Sequence, residues 1–409
     1  MNIKIRLTQY FQRYPKAWIA LIVACIFPLI ILINALQGQG ILSLIYFGKN
    51  YQYQQTKALQ EVNIPRVTPY GYDGQMYAQL ALDPLLIGDA VFDGIDNPAY
   101  RARRIAMPLL AFLMGHGELM SILYSYALLN FVTWVLFALT LLRYLSPKNW
   151  SDIALIAALL ISSGTLISLM RALTDFPAAA LGISALLISQ KGKISTLMLA
   201  FSALFKETSL LSFGALVFPR TSAPAQRNKQ LFKLVFILLA PFSAWSIYLF
   251  LRTPAIGEIG PAGNFDWPLF SLLHKYQQLL VWEHWERLMQ AWAPLPKEMR
   301  RGYLVLTFFE LLAPLSLAIQ AGYIFHKWRW SNPYWGFGLG FALLFLVIGD
   351  SIWLEQYAYC RVLLPLSFAF NFLIRDYESG KKYWTLFIAG NLGLMGIPLI
   401  LLTYPLISH

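Results

Sequence analysis

Long apolar runs recur from one end of this chain to the other, and nothing constrains its fold more. They cover residues 17–36, 119–142, 152–170, 176–190, 194–205, 209–218, 231–251, 303–325, 334–354, 362–374 and 383–403. An apolar stretch of about 20 residues is long enough to cross a bilayer as a helix. Inside lipid, every backbone polar group must find its partner within the protein. The chain therefore reads as an all-α polytopic membrane protein of about eleven membrane segments. Composition agrees: 58% of the 409 residues are hydrophobic and only 13% are charged, where a soluble domain carries roughly 25%. A soluble enzyme, a disordered chain and a nucleic-acid-binding module are excluded. Cys25 and Cys360 are too few for a disulfide scaffold or a cysteine-rich metal site.

The formal charge of +12 is a topology signal. Short connectors rich in Lys and Arg lie on the cytoplasmic side. Here they are 1–16 (Lys4, Arg6, Arg13, Lys16), 143–150 (Arg143, Lys148), Lys191 with Lys193, and 219–233 (Arg220, Arg227, Lys229, Lys233). Lys327 with Arg329, then Arg375, Lys381 and Lys382, follow near the C-terminus. Together they hold more than half of the basic residues, but only Asp152, Asp376 and Glu378 of the acidic ones. Parity then requires 194–218 to go out and return, with Lys206-Glu207-Thr208 at the apex of two short helices. An ion pair at mid-bilayer would be costly. The N-terminus is expected in the cytoplasm and the C-terminus outside. The first run is longer than the 7–15 residues of a signal-peptide core and reads as an uncleaved helix.

Two segments, 37–118 and 252–302, form long outer loops of a single membrane domain spanning 1–409. The second contains Pro254, Gly257, Gly260, Pro261 and Gly263. Leu269, Leu272, Leu273, Tyr276 and Leu280 then recur at helical spacing, with Trp282, Trp285 and Trp292 beyond. That is the signature of a helix lying in the membrane interface.

Ionisable residues at membrane depth are expensive and mark working sites. Asp73, Arg101, Arg103, Arg104, Arg171, Asp175, Lys206, Glu207, Glu310, Asp350, Glu355 and Arg361 all fall at or near outer ends of the runs. In Tyr70-Gly71-Tyr72-Asp73-Gly74-Gln75-Met76-Tyr77, Asp73 leads into a short apolar stretch. It reads either as a general base at the start of a helix or as part of an Asp-Gly turn. Arg101, Arg103 and Arg104 offer permanent planar donors suited to phosphate oxygens, or else snorkel to lipid headgroups. Asp83, Asp89, Asp93 and Asp96 have the chemistry to ligate a divalent cation, although as turn formers they balance the arginines equally well. Arg171 with Asp175, and Lys206 with Glu207, are either site residues or self-neutralising pairs. His116, His274, His284, His326 and His409 show no metal-ligand spacing.

An outward site has no access to cytosolic nucleotide sugars, so a transferase there needs a donor carried by the membrane itself. A polyprenyl-phosphate sugar fits: cations stabilise its leaving phosphate and a carboxylate deprotonates the acceptor hydroxyl. The runs Tyr72-Asp73-Gly74-Gln75, Asn97-Pro98-Ala99-Tyr100-Arg101 before Arg103-Arg104, Leu173-Thr174-Asp175-Phe176-Pro177, Lys206-Glu207-Thr208, and Arg361 with its apolar tail resemble bacterial integral-membrane glycosyltransferases of the GT-C superfamily. The closer likeness is to a branch linked to cell-surface glycopolymer formation, over roughly residues 15–375. The resemblance implies a GT-C-like bundle in the bacterial inner membrane, a polyprenyl-phosphate sugar donor and a lipid- or glycan-type acceptor. It implies Asp73 as the catalytic base, with donor phosphate binding by Arg101, Arg103, Arg104, Lys206 and Arg361. Tyr72, Gln75, Tyr77, Arg171, Asp175, Glu207, Glu355 and Tyr359 are implied as support. Many relatives pair two acids in the first loop, whereas Asp73 has no acidic neighbour. A divalent cation therefore stays open. The competing expectation is a transporter or flippase of a lipid-linked saccharide, which predicts ionisable residues in both membrane halves or two repeated halves. A non-catalytic scaffold is a third.

Overall fold

The computed structural model describes residues 12–51, 55–188, 193–217, 224–253, 263–294 and 296–403. Lys4, Arg6, Lys191, Arg220, Pro254, Gly257, Gly260, Pro261 and His409 lie outside them. Helices dominate. Among the described residues the one sheet is a parallel pairing of Phe47–Gly48 with Arg66–Thr68 in the first loop.

Five helices are long and apolar enough to cross a membrane: Lys16–Gln37, Leu119–Leu145, Val235–Arg252, Met299–His326 and Gly380–Thr403. The pair Trp150–Ile161 and Ser163–Met170, bent by 42° at Ser162, makes a broken sixth. The remaining apolar runs form shorter elements. Asp175–Leu187 and Lys193–Phe205 have 13 residues each, about 20 Å of helix against the ~30 Å hydrocarbon core. Pro333–Val347 has 15. The run 209–218 is no simple helix. The chain breaks at Lys206, forms a 3₁₀ helix over Glu207–Phe213 that packs back against the preceding helix, and adds the short helix Gly214–Val217.

Local chemistry sets these boundaries. Glu118 caps the Leu119 helix by accepting from the Met120 and Ser121 amides, and Asn149 with Asp152 forms a capping box for the Trp150 helix. The Lys16–Gln37 helix buries Ala17, Ala20, Ala24, Phe27, Ile31 and Ala35 and exposes Trp18, Ile22, Leu29, Ile33 and Leu36. Small residues facing protein and large apolar ones facing outward is the arrangement a lipid solvent favours. Polar side chains lie inside, where they tie helices together. Ser367 donates to Gln320 at 2.8 Å, Gln320 donates to the Gly390 carbonyl at 2.6 Å, and Asn371 donates to Asn391 at 3.0 Å.

The second long loop carries two helices, Phe270–Leu280 and Trp282–Trp292, where the periodicity predicted one continuous stretch. The extended backbone at Val281 breaks it. Trp267, Phe270, Leu273 and Leu280 are exposed, while Lys275 is buried against Glu310 at 2.8 Å and donates to the Trp353 carbonyl at 2.8 Å.

Candidate functional site

Asp73 is the first residue of the helix Asp73–Leu80, not part of a turn. Gly74 follows it for a steric reason. A Cβ there would lie 2.4 Å from the Arg171 carbonyl oxygen and 2.8 Å from that of Ile45. Glycine lets this helix press against two backbones and fixes where the Asp73 carboxylate emerges. Gly164 does the same on the other side, since a Cβ there would lie 2.3 Å from the Cys360 carbonyl oxygen. That contact seats the short helix Ala358–Val362, which carries Arg361. In the first loop, Asn97 accepts from the Tyr100 amide at 3.0 Å and Pro98 opens the helix Pro98–Arg101. This local start sets Arg101 toward Asp73 and Arg104 toward Glu207.

Through these placements, residues remote in sequence form one alternating chain of charges. Asp96 accepts from Arg101 at 2.7 and 2.9 Å, and Arg101 reaches Asp73 at 2.8 Å. Asp73 also accepts from Arg361 at 3.0 Å, Arg361 reaches Asp175 at 3.2 Å, and Asp175 pairs with Lys206. Glu355 lies 3.8 Å from Arg361 and accepts the Tyr72 hydroxyl. Such a network can be buried because each charge faces an opposite one. Its deep end is closed, with the Asp175 side chain 2% exposed, its open end is Asp96 at 47%, and Asp73 lies between them at 22%.

Two opposing effects set the ionisation of Asp73. Burial pushes its carboxyl up, but Arg101, Arg361 and Arg104 together outweigh this and hold it at about 2.

Arg104 occupies a different position. It forks onto Glu207 through Nε at 2.8 Å and Nη2 at 2.6 Å, and donates to the Tyr77 and Tyr100 hydroxyls. With those donors committed, Arg104 ties the first loop to the break at Lys206-Glu207. Arg103 is half-buried and makes no ion pair among the described residues. Arg171 stacks over the Tyr72 ring at 4.2 Å. Gln75 braces the loop, accepting from the Gly48 amide at 3.0 Å and donating to the Tyr70 carbonyl at 3.1 Å.

Set against protein-family models, curated proteins and solved structures, the chain matches none. The GT-C likeness rests on its short sequence runs alone.

Tyr359 stands apart from the other expected residues. Its ring lies 4.9 Å from the Lys275 ammonium and its hydroxyl donates to the Glu310 carbonyl at 3.3 Å, so it belongs to the Lys275–Glu310 pair. Sequence reasoning passes over Lys275. The available signal is one lysine in a stretch whose other periodic positions are apolar. Tyr100 enters the sequence reading only as part of a motif, yet its hydroxyl helps hold Arg104. Two of the four acidic residues weighed as cation ligands serve the loop. Asp83 accepts from the Ile87 and Gly88 amides, and Asp96 takes Arg101 and the Asn97 amide. Among the described residues no group of three or more His, Cys, Asp or Glu side chains is placed to hold a metal ion.

Proposed function

We propose that this protein is a membrane glycosyltransferase that moves a sugar from a polyprenyl-phosphate donor to an acceptor hydroxyl on the outer membrane face. The observation that supports it most is Asp73 itself. A partly exposed carboxylate midway along a charge network is bracketed by two guanidiniums that arrive from positions 28 and 288 residues away. The step balances with these groups alone. The acceptor oxygen attacks the anomeric carbon and gives its proton to Asp73. The bond from that carbon to the phosphate oxygen breaks, and the electron pair leaves on the lipid phosphate beside Arg101 and Arg361. A single displacement inverts the anomeric centre.

A carboxyl held at about 2 is a weak base. In this reading the donor phosphate draws the guanidiniums to itself, and Asp73 regains basicity only when donor is bound. Lys206 acts through Asp175 and Arg361, and Arg104 holds the loop in place. The bundle keeps eleven segments in the bacterial inner membrane with the N-terminus in the cytoplasm. Its short and broken helices surround the site, where irregular backbone is buried in protein.

The test is to incubate the purified protein with a panel of polyprenyl-phosphate sugars and measure released lipid phosphate. Release that depends on Asp73 supports the reading. Movement of the intact lipid-linked sugar across proteoliposomes without release would establish a flippase instead.

A further inference from the structure

A cavity of about 290 Å³ lies in the first loop, beside the Asp96 end of the charge chain. Its wall mixes two chemistries. Tyr51, Met76 and Ile95 supply aromatic and apolar surface, and Gln55, Gln75, Gln79, Asp93 and Asp96 supply polar groups. Gln55 is 2% exposed, and its Nε2 is buried with no partner among the described residues. Its two oxygens are in use: Oε1 accepts from Arg66 at 3.2 Å and its carbonyl accepts from Gln60 at 2.6 Å. Native proteins rarely leave a buried amide nitrogen unpaired, because its lost hydration is not repaid. Such a group on a cavity wall points to an acceptor that arrives from outside. The Asp93 carboxylate makes no hydrogen bond or ion pair among the described residues, and Asp96 keeps lone pairs beyond those given to Arg101.

The wall thus offers an unpaired amide donor, the free Asp93 carboxylate, the remaining lone pairs of Asp96 and some apolar surface. A phosphate or carboxylate would meet the unpaired Asp93 charge there, with Asp96 already held by Arg101. An apolar ligand would leave Gln55 unsatisfied. A sugar ring answers each demand: its hydroxyls accept from the amide and donate to the carboxylates, while its C–H face packs on Tyr51 and Met76. The size suits one ring, since sites for larger organic ligands start at about 300 Å³. The cavity also stands next to the reacting groups. Met76 follows Asp73 by one helical turn, and Arg101 touches both Asp96 and Asp73.

We propose that this cavity binds a single uncharged sugar ring and rejects sugars that carry a carboxylate or phosphate. The assignment of the ring to donor or acceptor rests on the glycosyltransferase reading; the binding itself does not.

The experiment is saturation-transfer NMR on the full-length protein in detergent, with methyl hexopyranosides and the matching methyl hexuronides as probes. A neutral glycoside should bind at least about tenfold more tightly than its uronide, and Gln55→Leu should weaken it about tenfold through loss of a buried donor. Asp93→Lys, on the exposed rim, should erase the preference against the uronide. Two results would overturn the assignment: no neutral glycoside binding by protein of unchanged melting temperature, or equal binding of the uronide. If polyprenyl-phosphate hexose displaces the glycoside and bare polyprenyl phosphate does not, the ring is the donor's. If glycoside and donor bind together, it is the acceptor's. Either result supports the cavity. Glycoside binding without lipid-phosphate release from any donor removes the transferase reading and leaves the cavity supported. Release that persists with no glycoside binding removes the cavity and leaves the transferase reading.

Discussion

Replacing Asp73 by Asn separates chemistry from architecture. The carboxylate accepts two charge-assisted hydrogen bonds, from Arg101 at 2.8 Å and Arg361 at 3.0 Å. Breaking a buried ion pair usually costs about 3–5 kcal/mol, because a charge is stranded. Neither arginine is stranded here: Arg101 keeps Asp96 and Arg361 keeps Asp175. The amide oxygen also retains one of the bonds. The net loss is then closer to that of one hydrogen bond to a charged group, about 1.5–3 kcal/mol, at the lower end because Asp73 is partly exposed. Turnover should fall far more, by about 10²–10⁴, the usual contribution of a general base. Affinity for the lipid-phosphate donor should hold or tighten, since the group competing for the guanidiniums loses its charge. The assay is initial-rate release of lipid phosphate at saturating donor, with donor binding and thermal melting measured on the same preparation. Turnover within tenfold of the parent would refute Asp73 as the base. A fall in melting temperature matched by loss of donor binding would reduce the network to scaffolding.

Arg104→Ala should destabilise the fold by about 3–5 kcal/mol by stranding Glu207, read as loss of monodisperse protein on size exclusion. Arg104→Lys should rescue it poorly because an ammonium cannot reproduce the two-pronged contact. Asp175→Leu should be strongly destabilising, whereas Asp175→Leu with Lys206→Met should recover most of the loss, a coupling of about 2 kcal/mol in a double-mutant thermal cycle. Gly74→Ala, which puts a methyl 2.4 Å from the Arg171 carbonyl oxygen, should cost about 1–3 kcal/mol by overpacking and lower turnover with it. Acidification tests Asp73 directly. Its carboxyl is depressed in the folded state to about 2, so its stabilisation is complete above the ordinary value near 4. That contribution is lost only as pH falls toward about 2. The profile of kcat/KM should therefore be flat on the acid side down to about pH 4, while kcat should show its acid limb at higher pH, because it reports the donor-bound state.

Features governed by neighbours along the chain are legible in the amino-acid sequence. The Asn97-Pro98 helix start, the run that becomes the Lys16–Gln37 helix and the polar break at Lys206 all depend on local chemistry. The placement of Asp73, Asp175, Lys206 and Arg361 at or near the ends of apolar runs is visible as a pattern, but their pairing is not, because it joins separate helices. Gly74 shows the limit well. Beside an aspartate it has the look of a turn, and only the approach of a carbonyl 97 positions away explains it. Arg104 carries the same guanidinium as Arg101, yet its engagement with Glu207 follows from folding of the chain and not from its motif. The apolar runs separate the short helices, but hydropathy registers apolar length and misses a bend such as that at Ser162.

The most direct measurement is a structure of the protein in lipid nanodiscs with a non-hydrolysable polyprenyl-phosphate sugar. The account predicts the phosphate within hydrogen-bond distance of Arg101 and Arg361, the Asp73 carboxylate released from both, and the anomeric carbon facing it. A phosphate bound away from these guanidiniums, with the Asp73 ion pairs unbroken, would contradict it.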